Sequence, residues 1–239
     1  MNILLTNDDG YNSRGIKVLK ELLSKYGTVV IVAPDSPRSG ASASLTLGEP
    51  LRLIKVEDNV YKCSGTPVDC VAMGLECFNV DFDLVVSGCN NGLNISYDTM
   101  YSGTVGAALE ALIFRTPAIA ISSPWSEDEK YENLINWFDK IWNFIHEKEL
   151  LSKEYILNIN FPKEVAHEYK IGGLYYRNDE HSFIEKENGY YTRRSVQTDF
   201  SDQVDTDCYQ VEHGIISIVP LAKSYYNETI KEELLRKIR

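Results

Sequence analysis

The segment NILLTNDDGYNSRGIKVLKELLSKYGTVVIVAP, residues 2–34, decides the fold class. Ile3, Leu4 and Leu5 form a short apolar run with no polar alternation. From Arg14 to Gly27, the residues Ile16, Val18, Leu19, Leu22 and Leu23 recur at the spacing of one helical face, and Gly27 is expected as the C-cap. Thr28–Pro34 is a β-branched apolar run stopped by proline. A strand without alternation is buried on both faces, and two such strands joined by an amphipathic helix predict a parallel sheet covered by helices.

The rest of the chain extends this pattern. Helices are expected at 69–78, 104–114 and 133–150, and strands at 82–88, 118–123 and 155–162. The predicted fold class is α/β, a doubly wound, mostly parallel sheet of Rossmann-like type. Residues 1–162 are expected to form its α/β core, and 51–65 read as an inserted β-hairpin turned at Asp58–Asn59. Residues 163–213 are polar and aromatic, with turn signals at Gly172–Gly173 and Asn188–Gly189. They read as an extended arm too poor in apolar surface to fold alone, so it is expected to pack on a neighbouring subunit. Residues 214–239 supply a last strand and a charged C-terminal helix, with Asn227 expected as its N-cap.

Composition narrows the function classes. The net charge of −11 repels nucleic-acid backbone and anionic lipid, which argues against duplex or membrane partners. No run of about 18 apolar residues is present. The N-terminus enters a strand directly, so a signal peptide is not expected and the cytoplasm is the predicted compartment. Five cysteines, Cys63, Cys70, Cys77, Cys89 and Cys208, are an odd number, and they read as reduced packing residues. His146, His167, His181 and His213 are scattered along the chain, which argues against zinc. Dinucleotide, P-loop and nucleophile-elbow motifs are absent.

In open α/β sheets, ligands bind beyond the carboxyl ends of the strands. Asp8 and Asp9 follow the first strand. They are either a capped turn or a pair of oxygen ligands for a divalent cation that relieves their repulsion. The loop APDSPRSGASAS (33–44) is either a solvated serine loop or a close approach to a ligand, with Arg38 as an oxyanion contact. SGCNNGLN (87–94) is either a glycine-rich turn or a source of neutral asparagine oxygens and amide donors. Ser102, Gly103 and Thr104 open a helix, as an ordinary cap or as a phosphate cradle. Taken together, acidic ligands and a helix N-terminus at one sheet edge suggest a metal bridging protein and phosphate.

The stretches ILLTNDDG, VAPDSPRSG, GTPVDCV, DLVVSGCNNGLN, YSGTVGAALEA and LNINFP occur in the order found in the SurE nucleotidases, and GIISIVPL is similar to that family's late strand. The chain therefore resembles that family over most of its length, most firmly over residues 1–125. The resemblance implies a metal-dependent phosphatase for nucleoside 5′- and 3′-monophosphates, with polyphosphate as a further substrate in some members. It implies one Mg²⁺ or Mn²⁺ per subunit on Asp8, Asp9, Ser39 and Asn90, and a phosphate pocket at Asn94, Ser102, Gly103 and Thr104. It also implies a homodimer or homotetramer built through exchanged C-terminal segments. Two positions depart from the family pattern: Ala43 stands where relatives often carry histidine, and Asn91 where they often carry arginine.

The expected mechanism is attack of a metal-activated water on phosphorus, with Asp9 taking the proton. Asn94 and the amides near Ser102–Thr104 would stabilise the equatorial oxygens. Asp8, Asp9 and Asn94 are thus the expected catalytic residues. A phosphoaspartate route is the mechanistic rival, and a non-catalytic nucleotide-binding relative is the functional one. Tyr175, Tyr176 and Tyr190 are read first as packing residues and second as base-stacking ones.

Overall fold

A computed structural model of the chain describes residues 1–176, 179–197, 202–222 and 228–237. β1 (Asn2–Thr6), α1 (Arg14–Leu23) and β2 (Thr28–Pro34) form the expected first unit. β1 and β2 pair in parallel, with Asn2 opposite Thr28 and Leu5 opposite Ile31. The apolar run in β1 is buried on both sides. Ile3 and Leu5 join the core under α1, while Leu4 points into the second core beneath the opposite helices. α1 starts at Ser13, whose hydroxyl accepts the Ile16 N–H. It stops at Leu23 because Ser24 caps it, with both its N–H and its hydroxyl donated to the Lys20 carbonyl. Gly27 is therefore not the C-cap. A Cβ there would lie 2.1 Å from the Met1 carbonyl oxygen, so glycine serves a close backbone approach.

β3 (Leu53–Glu57) and β4 (Val60–Cys63) are the expected hairpin, with Asn59 at φ 58° in its turn. The hairpin is part of the main sheet, because β4 pairs in parallel with β2. α2 (Pro67–Cys77) begins two residues before the expected start, at a capping box between Thr66 and Asp69. β5 (Leu84–Asn91) outruns the predicted strand. Its pairing with β6 (Ala118–Ser123) slips between Ser87 and Asn90 and then resumes, which carries Asn90 and Asn91 to the sheet edge. Between them come a one-turn helix, α3 (Asp98–Tyr101), and α4 (Gly103–Ile113). α5 (Glu132–Glu147) and β7 (Tyr155–Asn160) follow.

Residues 163–213 are less uniform than expected. β8 (Glu168–Ile171) pairs in parallel with β11 (Ile215–Ala222) in the main sheet. α6 (Asp207–Glu212) buries Cys208 and Val211 against Ile95. β9 (Asp179–Glu185) and β10 (Tyr191–Gln197) alone form a separate two-stranded sheet, turned at Asn188–Gly189, both with positive φ. α7 (Glu228–Lys237) closes the described chain. Asn227 and residues 198–201 lie outside the described residues.

The nine-stranded sheet runs β3-β4-β2-β1-β5-β6-β7-β11-β8. β2 flanks β1 on one side and β5 on the other, so the chain reverses direction at β1. Helices α1 and α5 cover one face, and α2 and α4 the other. No helix among the described residues is long and apolar enough to cross a membrane. All five cysteines are free, and only Cys77 is exposed.

Candidate active site

The reversal at β1 opens a crevice beyond the carboxyl ends of β1 and β5, the place where this sheet class binds ligands. The loop leaving β1 is braced from within. Asn7 Nδ2 donates to the Gly10 carbonyl at 3.2 Å and to Ser13 Oγ at 2.8 Å, while its Oδ1 accepts the Gly10 N–H at 3.1 Å. Gly10 holds φ +103°, which a side chain would oppose. The turn therefore presents Asp8 and Asp9 together.

Asp8 is buried, and its Oδ1 accepts a 2.6 Å hydrogen bond from the Thr104 hydroxyl at the start of α4. Gly103 lets that helix come close, since a Cβ there would sit 3.0 Å from Asp8 Cβ. Asp9 Oδ2 accepts the Asn91 N–H at 3.3 Å. Burial, and then the charge of Asp8, push the Asp9 carboxyl up to about 6, with Glu129 adding to the effect and the Asn91 N–H opposing it. Burial also raises Asp8, against the lowering by Thr104. Two carboxylates are thus crowded together.

Both line a cavity of about 280 Å³ together with Ser39, Gly40, Asn90, Asn91, Asn94, Asp98, Tyr101 and Ser102. The four expected metal ligands, Asp8, Asp9, Ser39 and Asn90, all border it. Asn90 Nδ2 is committed to the Gly92 carbonyl at 2.7 Å, which leaves Oδ1 as its ligating atom. Two carboxylates, a hydroxyl and an amide oxygen are hard donors that suit Mg²⁺ or Mn²⁺ rather than a thiophilic ion. Among the described residues, no cluster of three or more His, Cys, Asp or Glu is placed to hold a metal. A cation here would therefore depend on the neutral oxygens to complete its shell. None of the residues lining the cavity is basic.

The expected phosphate residues divide into two groups. Asn94 and Ser102 border the cavity. Ser102 caps α4 by accepting the Val105 N–H at 3.1 Å. Gly103 and Thr104 lie behind, buried, and Thr104 spends its hydroxyl on Asp8. Arg38 does not border the cavity. Its guanidinium donates to the Ser64 carbonyl at 2.9 Å and pairs with Asp35 at 3.4 Å, while its backbone N–H holds the Asp8 carbonyl at 2.7 Å. Its part is to shape the serine loop. That loop is also tied down by Ser42, whose hydroxyl donates to the Met100 carbonyl at 2.6 Å.

Sequence reasoning missed the residues that hold Asn94. Its backbone N–H donates to Asn160 Oδ1 at 2.8 Å, and its carbonyl accepts from Asn158 at 2.8 Å and Asn160 at 3.1 Å. Its own Nδ2 donates to Ser122 Oγ at 2.8 Å. Two asparagines at alternate positions of the apolar strand LNINFP were the available signal, because buried polar groups need partners. Asp98 and Tyr101 were also missed. They carry no motif and reach the cavity only through α3.

Comparison with known proteins identifies the family. A sequence model of the family described as "Survival protein SurE" matches residues 3–181. A Clostridium botulinum (strain Alaska E43 / Type E3) protein named 5′-nucleotidase SurE is 37% identical over 242 residues, covering 95% of each chain. An Acinetobacter baylyi protein of the same name is 38% identical over 251 residues, covering 98% of each. The crystal structure of the Sure protein from Aquifex aeolicus superimposes with a TM-score of 0.87 at 32% identity, covering all of both chains.

Proposed function

The chain belongs to the SurE family, and from that footing we propose that it is a divalent-metal-dependent phosphomonoesterase that releases phosphate from nucleoside 5′- and 3′-monophosphates, and from short polyphosphate. The observation that carries this reading is the convergence of Asp8, Asp9, Ser39 and Asn90 on one cavity beside the N-terminus of α4. Nothing in the cavity favours a non-catalytic binder, and the relatives cited above are named as enzymes.

Asp8, Asp9, Ser39 and Asn90 would hold the ion. When bound, it supplies a Lewis acid for a phosphoryl oxygen and lowers the pKa of a coordinated water. Asp8 is positioned by Thr104 and acts as a fixed anchor. Asp9 is the better proton acceptor, since it is less buried and one of its oxygens meets only the Asn91 N–H. Ser102 and the remaining amide hydrogen of Asn94 border the cavity and face charge growing on the equatorial oxygens, whereas the first amides of α4 are turned to the protein, Thr104 N–H to Asp8 and Val105 N–H to Ser102 Oγ. No histidine lines the cavity and Ala43 offers no proton, so the leaving alkoxide takes its proton from water.

The β9–β10 hairpin exposes Phe183, Ile184, Tyr190 and Tyr191. A lone hairpin is marginal in water, so this arm docks on a second copy, in a homodimer or homotetramer. The cytoplasm is the compartment that suits five free thiols. The test is phosphate release from adenosine monophosphate with Mn²⁺. Turnover that a chelator abolishes supports the reading, and no release with either Mn²⁺ or Mg²⁺ overturns it.

A further inference from the structure

The β6–α5 connection borders a second cavity, of about 250 Å³, which shares the residue Asn91 with the catalytic one. Asn91 works as a bracket between them. Its backbone N–H holds the Asp9 carboxylate at 3.3 Å. Its side chain pairs with the Ser126 backbone in both directions, donating to the carbonyl at 3.1 Å and accepting from the N–H at 2.9 Å. Trp125 precedes Ser126 directly, so its backbone is tethered to the catalytic edge while 67% of the residue lies in water. Among the described residues, no ring or cation packs on its face. A large apolar ring on a tethered backbone yet unburied, in a cavity beyond a strand end, is suited to a flat ligand.

Charge separates the two cavities. The catalytic one is lined by Asp8, Asp9 and Asp98 with no basic residue. The second is lined by Glu129 and Glu132 against Lys130 and Lys163, which balance. A phosphoanion, with its metal, belongs to the first, and an uncharged heteroaromatic ring to the second. The exposed Tyr97, Tyr101 and Tyr176 are the competing place for such a ring. Of these, only Tyr101 borders the catalytic cavity, and the Arg193 guanidinium already lies 5.9 Å over its ring. Tyr97 and Tyr176 pack on each other at 5.0 Å.

We propose that the second cavity is the nucleobase subsite, with Trp125 stacking on the base and the ribose passing over Asn91. This rests on the phosphomonoesterase reading above and names the part of the substrate that reading leaves open. The pair of esters to compare is adenosine 5′-monophosphate and β-glycerophosphate, which lacks a base. Trp125→Ala should lower the ratio of their kcat/KM values about tenfold, through KM for the nucleotide, as expected for loss of one stacked base. Trp125→Phe should retain most of the ratio, and Tyr101→Ala should leave it near the wild-type value. An unchanged ratio in Trp125→Ala, or a collapse in Tyr101→Ala alone, would overturn the assignment. Adenosine alone gives an arm that needs no turnover. It should quench tryptophan emission in the wild type and not in Trp125→Phe, and quenching that persists in that variant, or is absent from the wild type, counts against the subsite. If the wild type hydrolyses neither ester, the phosphatase reading fails, and the quenching still decides the subsite.

Discussion

Asp8, Asp9 and Asn90 each have a neighbour that decides what they can do. Thr104 donates to Asp8 at 2.6 Å and so fixes one carboxylate oxygen before any cation arrives. Thr104→Val removes that donor while keeping the shape. We expect Mn²⁺ affinity to fall by about 10–100-fold, the usual effect of losing a hydrogen bond behind a metal ligand, measured by calorimetric titration. Asp9→Ala removes a ligand and the proposed base together, and kcat should drop by at least about 10²-fold. Phosphate release at the wild-type rate would refute that role. At this scale the sequence told much. Asp8, Asp9 and Ser39 follow strands, Asn90 lies near the carboxyl end of β5, and all four reach one cavity. The bracing by Thr104, Asn158 and Asn160 was not legible, because it joins residues far apart in the chain by geometry that no local pattern encodes. Arg38 shows the converse. An arginine in a serine loop suggests an anion contact, yet the Ser64 carbonyl and Asp35 lie nearer to its guanidinium.

Among the elements, α2 carries the clearest local device. Asp69 accepts from Thr66 N–H at 2.8 Å, closing the capping box, and also from the Thr46 N–H at 3.0 Å and hydroxyl at 2.6 Å, tying the serine loop to the helix. Burial pushes its carboxyl up, but these four partners, Thr66 hydroxyl included, outweigh it and leave it below the usual carboxylate range. The sign follows directly. A lowered folded-state pKa gives stability that is complete above the unfolded value of about 3.9 and fades as pH falls through the folded one. Asp69→Ala should cost about 1–3 kcal/mol at neutral pH, with the gap to wild type narrowing under strongly acidic conditions, as read from urea midpoints across pH. A gap independent of pH would contradict the account. The long strands and helices were legible because their apolar periods are unbroken. β8 and α6 were not, since four and six residues hold too little pattern, and their burial comes from β11 and the Ile95 loop.

The body of the molecule is one nine-stranded sheet with a chain reversal that puts every strand-end loop discussed above at one edge. The hydrophobic rhythm of residues 2–34 already implied this, because a strand apolar at every position needs helices on both faces. Where the arm begins was less legible. Polarity marked 163–213 as a unit, whereas β8 joins the main sheet, α6 packs against Ile95, and the β9–β10 pair stands apart. If that hairpin docks on a second copy, Phe183→Glu should shift sedimentation toward monomer while the melting temperature at low concentration changes little. An unchanged oligomer would remove the arm from the interface. The central claim is that two crowded carboxylates at the reversal point clasp a hard divalent ion. The most direct measurement is calorimetric titration of Mn²⁺ into chelator-stripped wild-type protein and the Asp8→Asn/Asp9→Asn double variant. The account predicts a single ion taken up per wild-type chain and none by the variant. Equal uptake by both, or none by the wild type at millimolar Mn²⁺, would contradict it.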